Sequence, residues 1–156
     1  MTAPRRYAAD TSVSVEKSRG EIEKLLTKHG CDGFMYYADR GHAQIAFRMH
    51  ERMIRFDLEL FTVDNFLTGP SGRKRTAEAA AKVCEQACRA SWRALALVIK
   101  AKLEAVAAGI TTFEVEFLPH VIVPGGKVFH EVALPQIAAA YASGKMPPLL
   151  GPGGKS

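Results

Sequence analysis

At 156 residues the chain has the length of one domain, and 47% hydrophobic with 24% charged residues is the balance of a folded rather than a disordered protein. The net charge is +5, and three cysteines, an odd count, argue against a disulfide scaffold and for a reducing compartment. The opening MTAPRRYAAD has no apolar run behind its arginines, so no signal peptide is expected, and the run Ala94 to Ile99 is far short of the roughly 20 residues of a membrane span; secreted, membrane-spanning and fibrous classes are set aside.

In chain order, Thr11 to Glu16 alternates polar and β-branched residues and predicts a short strand. Ser18 with Glu21 three residues on has the form of a capping box, and Ile22, Leu25 and Leu26 supply an apolar stripe. A helix over Arg19 to His29 ending at Gly30 is expected. Gly33 to Ala38 is aromatic and strand-like, and Asp39-Arg40-Gly41 turns the chain. From Ala43 the alternation is clean: Ala43, Ile45, Phe47 and Met49 face one way, Gln44, Ala46, Arg48 and His50 the other. After a turn near Glu51-Arg52, Ile54, Phe56, Leu58 and Leu60 face the core. Period-two patterning of this length predicts an antiparallel meander with one buried and one wet face.

Phe61 to Arg75 holds two glycines, a proline and a basic triplet and predicts a mobile connection. Thr76 caps the longest helix, which runs toward Ala108 with an apolar stripe through Cys84, Trp92, Leu95, Ile99 and Leu103 and stops at Gly109. Thr111 with Glu114 starts a short helix carrying Phe113 and Phe117. Val128 to Ser143 reads as a last helix, with Val132, Ile137 and Tyr141 inward and Pro135 acceptable only at a break or first turn. The expected fold is α+β: an antiparallel meander of three to four strands packed by one long helix and two to three shorter ones. Residues 1–143 form a single domain, and 144–156 a Pro/Gly-rich tail.

The charge is localised. Between Phe66 and Leu103 stand Arg73, Lys74, Arg75, Lys82, Arg89, Arg93, Lys100 and Lys102 against Glu78 and Glu85, so that segment carries +6 and the remaining residues −1. Such a surface attracts polyanions or acidic protein faces, or simply solvates a helix. Arg48 and Arg55 lie on the wet face of the meander, with one of Tyr36 and Tyr37 beside them because consecutive strand residues alternate. An arginine next to an aromatic ring is a platform for single-stranded nucleic acid, and Arg73, Lys74, Arg75, Arg89 and Arg93 would extend the track; the competing possibility is that the long helix covers that face.

Motifs for nucleotide binding, zinc proteases or serine hydrolases are absent, and GPSGRKRT lacks phosphate-loop spacing. Cys84 and Cys88 sit one helical turn apart inside the apolar stripe. They read as packing, since a metal would need further ligands such as His29 and Cys31. The carboxylate pairs Glu114/Glu116 and Asp57/Glu59 could serve a Mg²⁺-dependent nuclease but more ordinarily solvate a surface. No catalytic residue, metal or cofactor is assigned.

The segments YAADTSVSVEKSRGEIEKLL, EQACRASWRALALVIKAKLEAVAAGITTFEVEFL and MPPLLG resemble a group of small proteins encoded by bacteriophages and prophages. The resemblance implies work in the bacterial cytoplasm during infection, in phage DNA metabolism or against a host system, and carries no site residues with it. The function expected first is non-enzymatic binding of nucleic acid, single-stranded DNA or RNA. The alternative is a protein-binding inhibitor or adaptor acting on a host defence protein, with a homodimer through the long helix as a further expectation and no membrane partner.

Overall fold

The computed structural model describes residues 8–148. The expected strand at Thr11 to Glu16 does not form: residues 11–14 lack a ladder partner, and helix α1 (Val15–Lys28) starts four residues before the predicted helix. Its cap is Ser14, whose extended backbone (φ −67°, ψ 160°) lets the hydroxyl accept from Lys17 N, leaving Ser18 buried inside the helix. The capping box expected at Ser18 does not form, because the Ser18 amide already donates to Ser14 O (3.1 Å) within the helix; Glu21, its other half, pairs with Arg93 of the long helix instead. The far end is as expected: Lys28 closes the helix and Gly30 takes a positive φ of 87°.

The meander forms as predicted, with β1 (Gly33–Asp39), β2 (His42–Met49) and β3 (Arg52–Glu59) in the order β1-β2-β3, all antiparallel. Ile45 lies between Tyr36 and Phe56, and Ala46 between Met35 and Arg55, so the register keeps each face in phase across three strands. The second hairpin turns on His50-Glu51, one residue earlier than expected, and both adopt positive φ (49° and 60°), the backbone of a two-residue hairpin loop. Beyond β3, Val121 bridges Ile54 and the Ile122 amide donates to Met53 O at 2.8 Å, a short backbone pairing on that edge.

One face of the sheet makes the core. Ala43, Ile45, Phe47, Met49, Ile54 and Phe56 pack beneath Ile22 and Leu26 of α1, and beneath Trp92, Ala96, Ile99 and Leu103 of α2 (Ala77–Ala107). Helix α2 has the predicted bounds: Thr76 Oγ1 accepts from Ala79 N, and Gly109 ends it at φ 72°. At 31 residues it is roughly 46 Å long. Its half from Trp92 onward covers the sheet, while its first half packs on a 3-10 turn at Val63–Phe66. The connection expected to be mobile is internally bonded: Thr68 bridges Lys74, and the Arg75 guanidinium donates to Phe66 O at 3.0 Å.

Helix α3 (Phe113–Phe117) caps on Thr112 rather than Thr111 and drives Phe113 and Phe117 into the core, Phe117 edge-on to both Phe47 and Phe56. Helix α4 (Phe129–Ser143) departs from expectation twice. It runs through Pro135, whose missing N–H sacrifices only the bond to the Glu131 carbonyl, and Tyr141 points outward at 88% exposed. Only Ala133 of α4 is fully buried, and the helix meets the body chiefly at the 3-10 turn Leu118–His120. Gly144 caps it in the left-handed region; residues 149–156 of the expected tail lie outside the described residues. The fold is α+β as expected, and no described helix is long and apolar enough to cross a membrane.

Candidate functional site

Both long helices lie on the core face, so α2 does not cover the other one; the open face carries Met35, Tyr37, Gln44, Arg48, Met53, Arg55 and Asp57. Tyr37 is the tyrosine presented there. Tyr36 turns inward, its ring 5.5 Å from that of Trp92 and 3.4 Å below the Arg19 guanidinium.

The arginines of this face are already engaged. Arg55 is only 18% exposed: Nε donates to Asp57 Oδ2 (2.9 Å), while the terminal nitrogens reach Gly126 O (3.0 Å) and Glu131 Oε2 (3.3 Å). Asp57 also accepts from Gln44 (2.7 Å) and stands 3.5 Å from His42. Burial opposes ionisation of Asp57, but the hydrogen bonds from Arg55 and Gln44 and the nearby positive charges outweigh it and hold the carboxyl below its ordinary range. Arg48 is more open, at 57% exposed, and pairs with Asp32 at 3.1 Å. The Tyr37 hydroxyl donates to Asp39 (2.9 Å), and that bond, with the carboxylate charge, raises its pKa.

The α2 cations are distributed in the same way. Arg89 pairs with Glu85 one turn back, Arg93 with Glu21 across the α1 interface, and Lys102 with Glu116 at 3.0 Å. Arg75 is engaged by loop carbonyls, which leaves Arg73, Lys74, Lys82 and Lys100 as the cations of that segment with no ion pair among the described residues. The site residues expected from the sequence therefore occupy three places (sheet face, loop and α1–α2 seam) rather than one field.

Cys84 and Cys88 point from the core side of α2 at one acceptor, the Phe61 carbonyl, at 3.2 and 3.6 Å. Burial raises the pKa of Cys84, helped by the charge and hydrogen bond of Cys88, so Cys84 is a thiol at neutral pH. Neither His29 nor Cys31 joins them: no group of three His, Cys, Asp or Glu able to hold a metal occurs among the described residues. The proposed nuclease pairs are divided, Asp57 serving Arg55 and Glu116 serving Lys102.

A broad apolar concavity lies elsewhere, and the charge pattern did not point to it. It is a groove of about 1090 Å³ on the flank of α2, floored by Val83, Ala87, Ala90, Ser91 and Ala94 and walled by Leu58, Phe61, Phe66 and Val98. Lys82 is its one charged lining residue. The floor repeats at three- and four-residue steps, a second apolar stripe beside the one that packs the core, and small side chains keep it low. Gln86 is fixed at the rim by donating to Ala9 O (3.0 Å) and Thr11 O (2.9 Å), which holds the segment before α1 as one wall. The signal was present in the sequence, since the alanines of KVCEQACRASWRALALV cover more of the helix than one core needs.

Comparison of the chain with family models, with curated proteins and with solved structures finds no match.

Proposed function

We propose that the protein is a binding module for another polypeptide, and that its working surface is the apolar groove along α2. The observation that carries the reading is the groove itself: fifteen lining residues with one charge among them, open to solvent over roughly 24 Å of helix from Lys82 to Val98. A soluble surface does not ordinarily leave a concavity of that character uncovered, and helix-in-groove docking is the recognition mode it suits. The occupant that such a groove calls for is an apolar helical face.

The experiment is a polarisation titration with a labelled amphipathic helical peptide. Ala94 is exposed on the groove floor, so Ala94→Glu places a charge there without disturbing the core. It is expected to weaken binding at least about tenfold, the cost of desolvating an unpaired charge. Reversal of Arg73 and Lys74 should leave the affinity unchanged; the opposite pattern would refute the reading.

Nucleic-acid binding is the second reading, favoured by the unpaired cations Arg73 and Lys74 beside the start of α2. It requires affinity for single-stranded DNA or RNA that falls steeply with salt, and it fails if charge reversal at Arg73 and Lys74 leaves that affinity intact.

A further inference from the structure

Among the described residues, two apolar surfaces match each other in shape and length. Helix α4 is largely apolar on every side, with His130 and Glu131 in its first turn its only ionisable residues besides Tyr141, yet it meets the body chiefly along one edge. A helix of that composition belongs in an interior. Leu134, Ala138 and Tyr141, at i, i+4 and i+7, form its outward stripe; Leu134 is 58% exposed and Tyr141 88%. The groove along α2 is the complementary shape: a trough of small residues about 24 Å long against a helix of about 22 Å. No residue of α4 lines the groove of its own chain.

From this we infer that the groove takes α4 of a second copy, reciprocally, so that each protomer contributes one helix and one groove to a dimer; the inference rests on the groove reading above and names its occupant. Charge supports it. Glu131 is tied to Arg55 on its own copy, and Lys82, the one charged lining residue, sits at one end of the trough, where a long side chain can keep its ammonium in water as a helix docks. Area supports it as well. Half the surface of a helix about 22 Å long and 10–12 Å wide is roughly 400 Å², and with one helix and one groove each copy buries about 800 Å², the share of a standard stable interface. Leu134 and Tyr141 are the anchors, seated over the low alanine floor.

Sedimentation equilibrium on the full chain tests it, using the wild type, the double variant Leu134→Glu/Tyr141→Glu and Ala94→Glu. The substituted residues are solvent-facing in the single chain, so each variant should keep the wild-type far-ultraviolet circular dichroism. The wild type is expected to be dimeric and each variant monomeric. An equimolar mixture of the two variants should regain a weaker dimer through its one intact helix–groove pair. A dimer that persists in the α4 variant, or one broken by Ala94→Glu and not restored in the mixture, would mean α2 pairing with α2 and would overturn the assignment of α4. A monomeric wild type overturns it too. If that monomer still binds the amphipathic peptide in an Ala94-dependent way, the groove reading stands and only its occupant is wrong; if it binds nothing there, both fall.

Discussion

His120 shows how one half-buried side chain couples the stability of the fold to pH. Its ring stacks on Phe56 with centroids 3.9 Å apart, and burial, then the charges of Lys102 and His130, lower its pKa from 6.5 to about 4. An unfolded histidine takes up its proton below about pH 6.5 while the folded one resists to about pH 4. The unfolded state therefore binds more protons across that window, and stability falls as the pH drops through it. Urea midpoints between pH 7 and 4 should show this decline, and His120→Phe, which keeps the stack, should flatten it; an unchanged slope would place the dependence on another group. The sequence made Arg48 and Arg55 legible as wet-face residues because alternation fixes side. It could not reveal that Glu131, 76 residues away, neutralises Arg55, since ion pairs between elements depend on how those elements dock. The choice between Tyr36 and Tyr37 was of the same kind, decided by the register that sets Tyr36 opposite Ile45.

At the level of elements, local chemistry was readable wherever one residue type can do the job. Thr76 and Gly109 bound α2 as expected, because a capping hydroxyl and a left-handed glycine are specific demands. Helix α1 began early since two serines four residues apart both offer a cap, and the earlier one adds a turn that brings Val15 against the core. Ser14→Ala should therefore lower stability by about 1 kcal/mol in denaturant titrations, and Ser18→Ala, which loses no cap, should not show that loss. In the second hairpin, Glu51 holds a φ of 60° that costs an L-residue about 1 kcal/mol, so Glu51→Gly is expected to raise stability by a similar amount. His50 in the same turn packs its ring 4.8 Å from Phe113 and gains in packing what its backbone loses. The phase of α4 was unreadable: a helix apolar all round gives no preferred inward side, which is why Tyr141 was expected in the core and stands outside it.

Over the whole molecule, the meander, α1, the second half of α2 and α3 close a core on one side of the sheet, and two stretches of apolar surface remain outside it along α2 and α4. The architecture was legible because each amphipathic element has one way to bury its stripe. The groove was less so, because a net charge of +5 drew attention to cations, several of which the fold then pairs with carboxylates. Apolar association gains from salts that are excluded from protein surfaces, whereas phosphate contacts release counterions and weaken as salt rises. The salt dependence of peptide affinity at the groove is thus the most direct measurement. The account predicts binding that is flat or slightly tighter between low and physiological salt. A steep fall in affinity over that range, removed by charge reversal at Arg73 and Lys74, would contradict it.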